Sequence, residues 1–380
     1  MNFSYTEEQE SIRRMARKFA DQELTPIAQE YDEKDQFPEF ILDKLYDTGL
    51  LTLGVPAEYG GPGMDYISQA IAFEELARGD AGIATTVLGN CGLAADPILV
   101  AGSDEQKARF FGMLNEKKIA AFCLTEPGAG SDVSGLSTSC KKDGDYYILN
   151  GTKCFITNAG IADVFAVIAT MDKSLKYKGM CAFMVERNLE GVSIGKKEHK
   201  MGIRTSVTNE VIFDNVRVHK DNLLGKEGEG FAITMKTLDL SRPMVGAMAV
   251  GVAQAAYEYA RDYAVQRVQF GQPISAFQGV QFMLADMLMQ IEAARLLVHK
   301  SCWLKDAGLP YSQAASVAKA YAGDMAMKVA IDAVQVLGGY GFTKDYPVEK
   351  YMRDAKIMQI YEGTSQIQRI VIANNIFKGL

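Results

Sequence analysis

The sequence predicts an α+β chain of three domains: an α-helical N-terminal domain over residues 1–118, a β-barrel-like middle domain over 119–226 and a C-terminal four-helix bundle over 227–380. Three observations predict it. Apolar residues recur at spacings of three and four in the first and last thirds. Short runs rich in β-branched and aromatic residues fill the middle. A chain of 380 residues also exceeds what one hydrophobic core usually organises. A doubly wound sheet would alternate strand and helix throughout, so the order α, β, α speaks against it.

In the first third, Ile12, Met15, Ala16 and Phe19, then Phe40, Ile41 and Leu45, have helical spacing. Pro56 and the cluster Tyr59-Gly60-Gly61-Pro62-Gly63 interrupt them with a loop, and helices resume near Tyr66. The runs Ala120 to Leu124, Tyr146 to Leu149, Val164 to Ile168, Cys181 to Val185 and Val211 to Phe213 read as strands, with Asp143-Gly144 as a hairpin turn. Helical spacing returns over Met244 to Arg267, Gln278 to Gly308 and Ser312 to Leu337, broken at Gly271 to Pro273 and Gly338 to Gly341.

Composition narrows the function. Hydrophobic residues are 48% and charged residues 23%, the balance of a globular chain with a large core. Forty basic against 47 acidic side chains leave a net charge of −7, which opposes binding to a phosphate backbone, so nucleic acid is not an expected partner. The six cysteines form no C-x-x-C pair and the three histidines lie far apart, so no metal site is expected. Cysteines inside apolar runs suit buried thiols in a reducing compartment. The polar N-terminus is unlike a signal peptide, and the longest weakly polar stretch, Ala81 to Gly102, is broken by Asn90 and Asp96. A cytoplasmic protein without membrane insertion is expected.

Two segments invite chemistry. The loop Thr125 to Val133, TEPGAGSDV, follows a strand, but Val133 stands where a dinucleotide fingerprint needs a small residue. It is either an ordinary glycine turn or a backbone cradle for an anionic or carbonyl-rich ligand. In QIYEGTSQIQR, Gln359 to Arg369, Ser365 and Gln368 have capping-box spacing, which puts Glu362 just before a helix. That carboxylate is either a charge that stabilises a helix start or, held among Ile360 and Tyr361, a group pushed toward neutrality and fit for general-base work. RVQFGQPISAFQ reads as a helix end or a cofactor contact, and the glycines of VQVLGGYGF as a helix stop or a place of close backbone approach.

Taken together, TEPGAGSD, NGTKCFITN, RVQFGQPI, QVLGGYGF and the run from YPVEKYMRDAKI into MQIYEGTSQIQR resemble the acyl-CoA dehydrogenase family over the entire chain, most closely its short-chain, butyryl-CoA branch. The resemblance implies a homotetramer, or at least a dimer, carrying FAD. It implies that Glu362 removes the α-proton of an acyl thioester. In other branches the base sits at the position this chain fills with Ser241. Phe122, Leu124, Thr125, Gly130, Ser131, Phe155 and Thr157 match residues around the flavin. Arg267, Phe270, Gln278, Gln335, Gly338 and Gly339 match positions reaching FAD, several across a subunit interface, and Thr364 and Gln366 match contacts near its adenosine end. Ser131, Asp239, Arg242, Tyr361 and Gly363 match substrate contacts, Asp239 and Arg242 at the CoA portion. Phe155 replaces the tryptophan that many members place against the flavin; the one tryptophan, Trp303, lies elsewhere.

The implied reaction, the dehydrogenation of fatty acid β-oxidation, converts acyl-CoA to trans-2-enoyl-CoA and passes electrons to an electron-transfer flavoprotein. The same resemblance admits an acyl-CoA oxidase or a dehydrogenase for branched or alicyclic thioesters. Ala84 and Thr85 stand where the glutaryl-CoA branch uses arginine, which disfavours a glutaryl substrate. A silent scaffold that keeps FAD for stability is the reading from another class.

Overall fold

The computed structural model describes residues 4–378. Helices α1 (Glu7–Phe19), α2 (Thr25–Lys34), α3 (Ile41–Asp47), α4 (Tyr66–Gly79), α5 (Ala81–Leu88), α6 (Asp96–Ala101) and α7 (Asp104–Asn115) build the first third. Capping boxes start α1 and α7: Thr6 with Gln9 and Ser103 with Gln106 satisfy each other's first-turn N–H groups. One helical stretch, Ala81–Ala101, is long and apolar enough by composition to cross a membrane, but most of it is buried inside the fold.

The middle third is a sheet of β1 (Ala120–Cys123), β2 (Ser139–Asp143), β3 (Tyr146–Thr157), β4 (Val164–Thr170), β5 (Met180–Glu186), β6 (Val192–Lys197), β7 (Thr208–His219) and β8 (Leu223–Leu224). The strands run in the order β6-β7-β3-β2-β4-β5-β8, with β1 also paired to β4. All seven residues of β4 are buried, which is why VFAVIAT reads as a continuous apolar run. Strands β2 and β6 lacked such a signal, since most of their side chains are not buried. Asp143 is the last residue of β2, paired with Tyr146, so the turn is Gly144-Asp145, one residue later than predicted; only Gly144 takes positive φ.

The last third holds α8 (Gly230–Gln266), α9 (Gln278–Asp306), α10 (Ser312–Leu337), α11 (Val348–Ile357) and α12 (Ser365–Ile376). Helix α8 starts 14 residues before the predicted Met244 and runs through Pro243. An interior proline costs about 3 kcal/mol, but here it sits in a long buried stretch whose packing outweighs local propensity. At Gly251, α8 passes so close to α4 that an added Cβ would lie 2.1 Å from the Glu74 carbonyl oxygen. The break at Gly271 is a hairpin of β9 (Val268–Gln269) and β10 (Gln272–Pro273), with Phe270 and Gly271 both at positive φ.

A buried charge cluster ties the three parts together. The Lys350 ammonium on α11 lies 2.6 Å from Asp354 and 2.9 Å from Asp80, the N-cap of α5. Asp80 also accepts from the Thr205 hydroxyl, and Asp354 from the backbone N–H of Ile203. Beside it Arg353 pairs with Asp32 at 2.7 Å and donates to the Met201 carbonyl. Burial works against the charge on Lys350, yet the two carboxylates hold its pKa well above the usual lysine range. We predict that Lys350→Met, which strands two buried carboxylates, destabilises the chain by about 3–5 kcal/mol, seen as a lower urea midpoint.

Candidate active site

Between α11 and α12 the chain makes a turn in which Glu362 has φ +53° and Gly363 φ +91°. A non-glycine residue in the left-handed region is strained, and such strain persists only where neighbours impose it. Here they do. The Lys319 ammonium, buried on α10, donates to the Gly363 carbonyl at 2.7 Å. The Gln368 amide donates to the carbonyls of Glu362 and Gly363 at 3.1 and 3.0 Å. At Gly363 the φ of +91° is one that side-chain-bearing residues rarely adopt, so the position favours glycine. The cap of α12 is Thr364, whose hydroxyl accepts from Ile367 N–H at 3.2 Å; Ser365, the predicted cap, is already helical, and Gln368 is used to clamp the turn.

The clamped turn presents the Glu362 carboxylate to the Ser241 hydroxyl, which donates to it. Burial raises the Glu362 pKa to about 7, against the opposing pull of the Ser241 hydrogen bond and the positive charges of Lys319 and Arg242. Arg242 is itself paired with Asp239, and its buried Nε has no hydrogen-bond partner among the described residues. The Tyr361 hydroxyl donates to the Met358 sulfur at 3.1 Å. Ser241, Asp239 and Asp96 line a cavity of about 1160 Å³ between α4, α6, α8 and the α9–α10 connection. A carboxyl poised near neutrality beside a large cavity is what proton abstraction from a weakly acidic carbon requires.

A second surface lies on the sheet. Glu126, in the loop after β1, forms a buried ion pair with Lys153 of β3 at 2.7 Å and accepts from Ser137 Oγ at 2.7 Å and Thr138 N–H at 2.9 Å. Lys153 also donates to the Leu124 carbonyl at 3.0 Å, and Cys154 N–H to that of Thr125 at 2.9 Å. The pair joins the two motifs that hold Phe122, Leu124, Thr125, Gly130 and Ser131 on one side and Phe155 and Thr157 on the other. Phe155 is 64% exposed at positive φ, its aromatic face left open where the pairing of β3 with β7 is interrupted between Lys153 and Ile156. An added Cβ at Gly128 or Gly130 would meet nothing within 4 Å. An open aromatic face beside an open glycine loop fits a flat, polar-tailed group.

The remaining predicted cofactor residues lie elsewhere. Phe270, 93% exposed, tips the β9–β10 hairpin; Arg267 stands over the Tyr340 ring at 5.2 Å; Gln278, Gln335, Gly338 and Gly339 are exposed. Among the described residues no hydrogen bond, ion pair or ring contact joins this group to the Phe155 surface. Thr364 and exposed Gln366 begin α12. Within one chain the predicted residues therefore form separate patches.

Models of the N-terminal, middle and C-terminal domains of acyl-CoA dehydrogenase match residues 6–117, 121–216 and 228–377. The chain belongs to the acyl-CoA dehydrogenase family. It is 46% identical over 379 residues, covering all of both chains, to the short-chain-specific acyl-CoA dehydrogenase of Clostridium acetobutylicum. Butyryl-CoA dehydrogenase from Megasphaera elsdenii has the same fold, with a TM-score of 0.96 at 45% identity over 99% of this chain and 100% of that one. A structure solved in work on the electron-transferring flavoprotein of Acidaminococcus fermentans gives 0.97 at 47% over the whole of both. The protein is an acyl-CoA dehydrogenase enzyme. Its cofactor is FAD, as held by solved relatives, and the Phe155 surface fits the flavin of this acyl-CoA dehydrogenase.

Sequence reasoning missed Lys319, Glu126 and Lys153. Lys319 and Lys153 each sit in a helical or strand pattern as a lone charge at a position facing the core, and that was the available signal; Glu126 lies in a loop and carried none. It also treated Ser241 only as the absence of a base, whereas the hydroxyl holds Glu362. We predict that Lys319→Met raises the Glu362 pKa above its value of about 7, since a positive charge that favours the carboxylate is removed. The rising limb of flavin reduction against pH then moves to higher pH, in protein whose FAD content is checked by its visible spectrum.

Proposed function

We propose that this acyl-CoA dehydrogenase oxidises a short-chain acyl-CoA, about four to six carbons long, to the trans-2-enoyl-CoA, with Glu362 as the base. The observation that carries the reading is the Glu362 carboxyl, clamped at a strained turn, desolvated to a pKa of about 7 and hydrogen-bonded to a residue of the cavity wall. At neutral pH about half of such a group is ionised, yet it is far more basic than a free carboxylate. Glu362 takes the α-proton. The Glu362 N–H, following the family resemblance, donates to the thioester carbonyl as negative charge develops there. Bound FAD supplies the acceptor for the β-hydrogen, which leaves as hydride. Phe122, Leu124, Thr125, Gly130, Ser131, Phe155 and Thr157 hold the flavin from one side. Asp239 and Arg242 take the CoA portion; Tyr361 and Gly363 border the acyl group.

The short-chain assignment rests on the likeness to the short-chain-specific and butyryl-CoA enzymes. Electron-transfer flavoprotein as the acceptor rests on the likeness to the protein solved in the Acidaminococcus fermentans work. A homotetramer is supported by an apolar stripe on α9: Phe282, Met289, Leu296 and Trp303 recur every seven residues and are 50–62% exposed. One helix face of that kind is covered by another helix. In such an assembly Arg267, Phe270, Gln278, Gln335, Gly338 and Gly339 complete the FAD site of a second copy.

Anaerobic addition of butyryl-CoA is expected to bleach the flavin, and hexanoyl-, isobutyryl- and cyclohexanecarboxyl-CoA to bleach it less. No bleaching by butyryl- or hexanoyl-CoA would sink the short-chain reading. Glu362→Gln is expected to keep FAD and to slow bleaching by roughly 10² to 10⁴; unchanged bleaching would remove Glu362 from the mechanism.

A further inference from the structure

Asp96, the first residue of α6, is 5% exposed, and its carboxyl lines the cavity without a hydrogen bond to any described residue. A buried carboxyl without a partner is costly and uncommon. Tyr66 at the start of α4 and Tyr311 just before α10 line the same cavity, and neither hydroxyl makes a hydrogen bond to any described residue. Three polar groups from three elements thus converge on one space with their hydrogen-bonding capacity unspent. The wall carries the apolar side chains Phe73, Leu88, Leu99 and Met244 as well as the charged Lys236 and Asp239, and Lys305, 4.9 Å from the Tyr66 ring centre and 5.9 Å from that of Tyr311, covers the aromatic faces.

We propose that Asp96, flanked by the Tyr66 and Tyr311 hydroxyls, is a specificity-determining station that binds an uncharged N–H or O–H group of the thioester within the cavity. The inference rests on the acyl-thioester reading above and adds a recognition element to it. Charge selects the ligand class. Burial and the neighbouring Glu362 carboxylate push the Asp96 pKa well above the usual carboxylate range, opposed by Lys305, so a third negative charge is unwelcome here. The Lys305 ammonium in turn opposes a cationic group. A neutral amide or hydroxyl can both give to and accept from a carboxyl and two phenols. Such a donor has two sources: the amides of the pantetheine arm, or a hydroxyl on the acyl chain.

The test measures Kd and flavin reduction for butyryl-CoA and 4-hydroxybutyryl-CoA with wild type, Asp96→Leu, Asp96→Asn and Tyr66→Phe, all holoenzymes with FAD content and thermal midpoint recorded. Butyryl-CoA that fails to bleach the wild type counts against the underlying reading rather than against the station. Given bleaching, losing the carboxyl is expected to weaken binding about tenfold in Asp96→Leu, the usual worth of one cavity hydrogen bond, with the limiting rate within about twofold. Asp96→Asn, which keeps an acceptor, is expected to recover most of that. An equal loss for both thioesters assigns the donor to the pantetheine arm; a loss confined to the hydroxylated one assigns it to the acyl chain. Should Asp96→Leu not fold, Tyr66→Phe carries the test through a smaller loss of the same kind. Binding of both thioesters within about twofold of wild type in the folded Asp96 and Tyr66 variants, or tighter binding by Asp96→Leu, overturns the proposal.

Discussion

The buried ammonium of Lys350, held between Asp80 and Asp354, is the interaction on which the site depends. It fixes α11 against the start of α5, with Thr205 and Ile203 of the sheet domain closing the cluster. The turn bearing Glu362 follows α11 directly, and Leu88 at the end of α5 lines the cavity. A charge in a water-poor interior is tolerated only when fully paired, so the cluster demands one arrangement of the three domains. Glu362, Ser241 and Tyr361 meet because that arrangement is imposed.

A second constraint works at the turn itself. Left-handed backbone at Glu362 is held by hydrogen bonds to its own and the next carbonyl, from Gln368 and Lys319. The lysine that clamps the turn also supplies positive charge near the carboxylate. Geometry and basicity are therefore set by one side chain. Burial alone would carry the carboxyl further toward permanent protonation; Lys319, Arg242 and the Ser241 hydroxyl bring it back to about 7, where the base is both available and strong.

Much of this was legible in the sequence where one local signal dominates. Helical spacing over Ser312 to Leu337 matches α10 end to end, because an alanine-rich run without proline keeps its period through Gly323. Glu362 stood out by its place before a helix and among apolar neighbours. Helix α8 was cut short at Met244, since Pro243 is a breaker by local rules and only long-range packing overrides it. Strands β2 and β6 carry too few buried side chains to be seen. The pairings Lys319 with Gly363, Glu126 with Lys153 and Ser241 with Glu362 join residues 44, 27 and 121 positions apart, and no periodicity encodes such partners. Asp96 read only as a polar break in an apolar stretch, whereas the fold turns it into an unpartnered acid on a cavity wall.

The central claim is that Glu362 is a desolvated base titrating near neutrality. Single-turnover bleaching of the flavin by butyryl-CoA, followed from about pH 5.5 to 9 in the wild-type holoenzyme, tests it most directly. The account predicts a rate that rises with pH through a midpoint near the Glu362 pKa of about 7 and then levels. A rate that stays flat over that range, as it would if the carboxyl titrated near the free value of about 4.3, would contradict it.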